Sequence, residues 1–386
     1  MLIQFHLLQN YVPSNLNRDD TGSPKDAIFG GVLRGRISSQ CLKRSIRYSD
    51  AFKSFDDEGL LGKRTQTLPS LVGTKLSELG VDEKTSAAIL SRLPDVVKGK
   101  TKTERGDDGD EESEEGAGEN EEATNTDDTK QLVFLDVKTE LTTFAERLHK
   151  AYQGIGAGKW AKAKLNEINK YLGESLPRSV DIAMFGRMTT SQAFKNVQAS
   201  VQVAHALSAN ALKQEFDYYT AMDDLKPESE PGADMIGDVE FNSCTYYKYL
   251  NVHWEELVKN LGGDHAVAQR AVLALLEAAA IAHPTGKQNS FGAFNLPDFV
   301  LVEVAERNLP VSYANAFLKP AYGTSNQSLL TDSVAKLNDY VARLSKVYSL
   351  NPQRAFIAID GDLTFLDQNA QTSLDDLKKW LGSQLG

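Results

Sequence analysis

Three acids close together in one stretch offer the clearest possible chemistry. Asp19, Asp20 and Asp26 fall within SNLNRDDTGSPKDAIFGG. Three converging carboxylates could hold a divalent metal for nuclease chemistry. The same residues also suit a plainer role, with Asp19 and Asp20 capping turns and pairing with Arg18. Just beyond, residues 30–48, GGVLRGRISSQCLKRSIRY, hold five basic residues and no acid. Arg36, Gln40, Lys43 and Arg47 recur at steps of four, three and four, so they share one face of any helix that reaches that far. Leu42 and Ile46 fall on another face, suited to packing on a sheet. Cations, the hydroxyls of Ser38 and Ser39, and the free N–H groups of a helix N-terminus together suit phosphate contacts. A solvated basic helix face is the simpler alternative. Gly30 and Gly31 allow positive φ or a close backbone approach to a ligand.

Other chemistries lack their signatures. The glycines of GIGAG (154–158) precede no Lys-Ser/Thr pair and follow no strand pattern, which argues against a phosphate-binding P-loop. Neither G-x-S-x-G nor H-E-x-x-H occurs, and His6, His149, His205, His253, His265 and His283 form no short metal-ligand pair. No catalytic residue, metal site or cofactor is expected.

The net charge of −11 over 386 residues is concentrated in one place. Residues 104–128 hold thirteen of the acids and one arginine, a local net of −12, which leaves about +1 for the rest. That segment has no apolar residue beyond alanine, so it is expected to be a solvated, disordered loop. Cys41 and Cys244 stand far apart, which fits a reducing cytoplasm. No run of about 18 apolar residues occurs, so no membrane partner is expected. The start, MLIQFHLLQN, reads as a strand and not as a signal peptide.

The elements that must position these residues follow from periodicity. Ile3, Phe5 and Leu7 mark one face of a first strand, and residues 13–31 are too rich in Pro, Asn, Asp and Gly to be regular. Ser38 and Ser39 cap a helix from about Gln40 to Ser49. Residues 58–180 read as mostly helical. VQVAHA and the aromatic run 239–252 read as a long hairpin with an extended tip. Ala266–Ala282 is a buried helix, Phe299–Val304 and Ala355–Ile359 are strands, and 327–348 and 372–383 are helices. Strands and helices mix without βαβ alternation, which predicts an α+β fold with an antiparallel sheet.

Six ordered blocks carry a family resemblance. They are SNLNRDD…KDAIFGG…RGRISSQCLKRSIR, VDIAMFGRM (180–188), YYTAMDDL (218–225), EFNSCTYYKYLNV (240–252), GKQNSFGAFNLPD (286–298) and SYANAF (312–317). Together they resemble the CasC family, the backbone subunits of the type I-E CRISPR complex Cascade. The resemblance implies an RRM-like palm (1–57 and 181–386), an inserted helical fingers domain (58–180) and a β-hairpin thumb (about 212–245). It implies many copies along one guide RNA, held by its sugar-phosphate chain whatever the sequence. The thumb would displace nucleotides at regular intervals where the guide pairs with target DNA. Implied partners are further copies, other Cascade subunits and a separate or fused nuclease.

By the same resemblance, Lys25, Ser38, Gln40, Lys43 and Arg47 match positions that touch the guide backbone. Met188 matches an apolar wedge, and Tyr219 and Thr220 match the thumb tip. Arg18 braces its loop, and Lys287 and Gln288 are further candidates. A subunit that accepts any guide must leave base edges free. Two rival readings remain. One is a metal-dependent ribonuclease like type III backbone subunits, using Asp19, Asp20 and Asp26. The other is a free-standing RRM protein, which would display aromatics on its strands; Phe5 is available, but no RNP1 run occurs.

Overall fold

The alternating start of the chain becomes the centre of a sheet. The structure is a computed structural model that describes residues 1–97, 132–173, 177–189, 191, 193–221, 235–359 and 369–385. The acidic stretch 104–128 and residues 222–234 lie outside the described residues. In chain order the elements are β1 (Leu2–Asn10), β2 (Asp26–Phe29), β3 (Val32–Ile37), α1 (Ser39–Arg47), α2 (Asp50–Asp57), β4 (Gly62–Thr65), α3 (Leu68–Glu78), α4 (Glu83–Leu90), α5 (Leu93–Val97) and β5 (Val133–Asp136). There follow α6 (Glu140–Ile155), α7 (Ala157–Trp160), α8 (Leu165–Leu172), α9 (Val180–Phe185), β6 (Val201–Val203), β7 (Ala206–Ser208), β8 (Glu215–Ala221), β9 (Met235–Phe241) and β10 (Thr245–His253). The last are α10 (Trp254–Asn260), α11 (His265–Ile281), α12 (Gln288–Phe291), β11 (Phe299–Ala305), α13 (Leu329–Tyr348), β12 (Gln353–Ala358) and α14 (Leu374–Gln384). The fold is α+β with an antiparallel sheet, as the mixed pattern predicts.

The chain divides into two compact units. The first comprises Met1–Ser54, Val201–Leu257 and His265–Gly386. Its sheet runs β12-β11-β1-β10-β7-β3-β2, with β6 also on β10. Leu2 to Gln9 are all buried, as expected of a strand covered on both faces. Register then sorts the side chains. Leu7 lies opposite Lys248 and Phe5 opposite Leu250, on the face that α1 and α11 cover. Leu8 lies opposite Tyr247 and His6 opposite Tyr249, on the face closed by Tyr313, Phe317 and α13. Tyr247 and Tyr249 are therefore buried, and these strand aromatics are closed to stacking with bases. Phe5, the strand aromatic available to a free-standing RRM reading, is fully buried as well, which removes the support of that reading.

The second unit comprises Phe55–Ser200 and Val258–Asp264. Leu68, Val72 and Leu76 of α3 pack with Phe144 and Leu148 of α6, Trp160 and Ile168. The expected insertion ended at 180, but this unit continues to Ser200. Ser200 Oγ donates to Ala183 O (2.8 Å), and the 187–197 loop is held to α6 through Arg187. No helix among the described residues is long and apolar enough to cross a membrane.

Two expectations need correction. Residues 26–29, expected to be irregular, form β2 and pair with β3 through Gly30-Gly31. Both glycines have positive φ (62° and 75°), as a two-residue hairpin turn of this hand demands. The run 239–252 is not one strand paired with 200–206. It breaks at 242–244, where Asn242 bridges Ser14. The exposed β9 pairs with β8, and the buried β10 pairs with β6 and β7. The helix starts where the caps predict, so the helical spacing of Gln40, Lys43 and Arg47 does not extend back to Arg36. Ser38 caps α1, so the helix begins one residue after Ser38, and Arg36 stays on β3.

Candidate nucleic-acid interface

The first unit folds a loop, a helix start, a hairpin base and a second loop against one another. Ser38 Oγ accepts from Cys41 N (3.2 Å), closing the first turn of α1, and buries Ser38 in doing so. Its hydroxyl hydrogen can still donate. Ser38 N donates to Asn17 Oδ1 (2.8 Å), clipping the 14–25 loop to the helix start. Lys25 N donates to Asn17 O (2.8 Å) and Arg36 N to Lys25 O (2.9 Å), which fixes Lys25 beside it. Gln40 and Arg44 are exposed, and Lys43 and Arg47 are half-buried, with Leu42 and Ile46 underneath. Lys25, Lys43 and Arg44 have no carboxylate partner among the described residues. Arg47 and Arg44 lie over the Tyr48 ring, at 5.6 and 5.1 Å.

Two arginines of the basic run are used inside the protein. Arg34 is fully buried and donates to the carbonyls of Ala209 and Phe317, both at 2.7 Å. Arg36 Nε donates to Asp26 O (2.9 Å). The acids do not gather either. Asp19 Oδ1 accepts from Thr21 N, Thr21 Oγ1 and Ser23 N at 2.8–3.0 Å, so it caps a turn. The Thr21 hydroxyl, with these backbone donors, lowers its pKa against some desolvation. Arg18 braces the same turn through a backbone bridge to Pro24, and its side chain is exposed. Among the described residues, no group of three or more His, Cys, Asp or Glu could hold a metal ion.

The loop 284–292 lies directly against the 14–25 loop. A Cβ on Gly286 would stand 2.2 Å from Leu16 O, so only glycine fits there. Lys287 is exposed, with left-handed φ of 50°. The amide of Gln288 is turned inward: Nε2 donates to Pro284 O (2.9 Å) and Oε1 accepts from Ala293 N (2.8 Å). The β8–β9 hairpin is anchored at the same place. Asn15 Nδ2 donates to Glu240 O (2.9 Å), and Phe241 meets the Phe291 ring at 5.7 Å. Tyr219 packs across Gly237, its cross-strand partner, and Thr220 is exposed beside it. Phe216 and Tyr218 are about two-thirds exposed (65 % and 64 %), among the acids Glu215, Asp217, Asp238 and Glu240. This surface suits stacking and not phosphate capture.

Met188 belongs to the second unit, where it stands 90 % exposed on a rigid base. The preceding Arg187 grips Glu140 with two parallel bonds (2.7 and 2.8 Å) and donates to Lys195 O and Phe134 O. Its backbone pairs with Val197 in both directions at 2.9 Å. A wide-open methionine on so fixed a mount is not a core residue.

Sequence reasoning missed the clips that organise this surface, Asn15 and Asn17, although both lie in the quoted SNLN run. It also left out Arg44, which one more step along α1 would have added, and Lys248, whose burial no periodicity reveals.

A family model described as CT1975-like protein matches residues 3–380. Among solved structures, a chain of a "CRISPR RNA-guided surveillance complex, pre-nicking" is similar at a TM-score of 0.77 and 27 % identity, covering 100 % of both chains. A chain of a "CRISPR RNA-guided surveillance complex" is similar at 0.60 and 22 %, again over 100 % of each, and bears on the fold alone. No curated protein matches.

Proposed function

The chain belongs to the CT1975-like protein family, and from that premise we propose that it is a non-catalytic backbone subunit of a CRISPR surveillance complex, of type I-E. Several copies grip one guide RNA by its sugar-phosphate chain and present its bases to target DNA. The observation that carries this reading is the full-length similarity to a chain of such a complex. The local chemistry agrees with it. Lys25, Lys43 and Arg44 offer unpaired charge around the start of α1, and Gln40, Ser38 and Arg47 add directional donors to phosphate oxygens. Lys287 extends this surface, while Gln288 shapes its loop. Met188 and the hairpin residues Tyr219 and Thr220 act as sequence-blind wedges, because every base has a stacking face. The hairpin is the thumb in this reading. Destruction of the target falls to a separate or fused nuclease.

Co-expression of a tagged and an untagged copy with a guide-encoding array tests the proposal. Both copies and a short RNA of defined length should elute together. Elution of the tagged chain alone and free of RNA contradicts it.

A further inference from the structure

Lys248 lies in the middle of β10 and is 2 % exposed. It borders a small apolar cavity between Leu42 and Ile46 of α1, Leu250 of β10 and Ala279 of α11. Its ammonium reaches Ala279 O at 3.4 Å, in the last turn of α11, and lies 5.9 Å from the Tyr11 ring centroid. The C-terminal end of a helix favours a cation, but a contact this long is a weak hydrogen bond. The titratable groups around it come from every element packed there: Cys41 from α1, Tyr11 after β1, His283 after α11, and Tyr246 on the same face of its own strand. All four are neutral at physiological pH. Leu7 on β1 and Val203 on β6 are apolar. Lys25 and Arg44, whose charges act on Cys41, add only positive charge. Burial therefore pushes the Lys248 amine down to about 7.

An apolar side chain would pack in this position without that electrostatic cost. Among the described residues the amine has no counter-charge, and α1 separates it from the surface where unpaired cations gather. We propose that Lys248 is a buried member of the RNA-binding face, and that RNA phosphates laid over α1 draw a proton onto its amine. This rests on the reading of α1 as a phosphate-binding helix. A phosphate across the helix stands about 10 Å away. One negative charge there tightens the hold on a proton roughly tenfold at an effective dielectric constant of about 20. An amine poised near neutrality then changes from mostly neutral to mostly charged at mildly alkaline pH. Linkage makes the effect reciprocal, so protonation tightens RNA by the same factor.

The test is calorimetry of the full chain with single-stranded RNAs of unrelated sequence, in buffers of different ionisation heat near pH 8. Wild type should take up a large fraction of one proton on binding. Its affinity should rise roughly fivefold as pH falls from about 9 to about 7. Lys248→Met should lose the uptake and flatten that profile, while His283→Gln and Cys41→Ser keep both. Equal uptake in Lys248→Met, or RNA binding by wild type with no uptake and no pH dependence, overturns the coupling. The wild-type profile decides this even if Lys248→Met fails to fold. Absence of RNA binding at every pH overturns instead the reading of α1, and the coupling with it.

Discussion

Two of the buried cations, Arg187 of the second unit and Lys248 of the first, are held in opposite ways. In the second unit, Arg187 is matched group for group: a bidentate carboxylate from Glu140 and carbonyls from Phe134 and Lys195. In the first unit, Lys248 has one long contact to a carbonyl and an aromatic ring. The planar fork of Arg suits a fixed joint, whereas the ammonium of Lys loses its proton readily when buried. The contrast separates a cation that builds the fold from one that the fold merely tolerates. Each lies below a candidate contact with nucleic acid, Met188 in one case and α1 in the other.

The largest expected effect breaks the matched member. Arg187→Ala leaves Glu140 buried without its ion-pair partner, keeping the Asp136 N–H, and should cost about 3–5 kcal/mol. Urea denaturation of the purified chain measures it, and a loss below about 1 kcal/mol would show that the pair does not build the fold. Lys248→Met should act in the opposite direction. The folded pKa of Lys248 is lowered from 10.5 to about 7, so between those values the unfolded chain binds a proton that the folded chain does not. Wild-type stability should therefore rise with pH from about 7 to about 10.5, by at most about 5 kcal/mol from this group, and the variant should lack that rise. At neutral pH the variant should be the more stable, by about 2 kcal/mol after packing losses. A destabilised variant with the wild-type pH slope contradicts the assignment.

Smaller effects sharpen the same division between structure and surface. Lys43→Ala with Arg44→Ala should leave the melting temperature within about 2 °C, since neither residue has a charged partner among the described residues, yet should weaken RNA retention by about 1 kcal/mol for each lost contact. Unchanged retention removes α1 from the interface. Tyr219→Ala exposes Gly237 and should cost the isolated chain under about 1 kcal/mol, because a two-stranded exposed hairpin contributes little to the core. A larger loss would mean that the hairpin docks on its own protein.

Much of the fold is legible in the sequence wherever burial imposes a period. The helix cap at Ser38, the apolar α11 and the strands β1, β11 and β12 all follow from local pattern. Arg36 continues the helical spacing of Gln40, Lys43 and Arg47 by coincidence, and only the cap at Ser38 shows where the helix begins. The break at 242–244 depends on Asn242 meeting Ser14, a partner more than 200 positions away. The candidate site divides in the same way. The charges of Lys25, Lys43 and Arg47 could be read directly from the sequence. The inward turn of Gln288, the burial of Ser38 and Arg34, and the isolation of Lys248 are set by distant backbone.

The first unit is proposed to hold RNA by its phosphates without reading its bases. Filter binding of the full chain to unrelated single-stranded RNAs of equal length, over a range of salt, tests it most directly. All the RNAs should bind alike, and the logarithm of affinity should fall linearly with the logarithm of salt. Replacing Lys25, Lys43 and Arg44 by Ala should flatten that slope by about 2, at about 0.7 for each phosphate contact on a single strand. A strong preference for one sequence, or a slope unchanged by the triple replacement, would contradict the account.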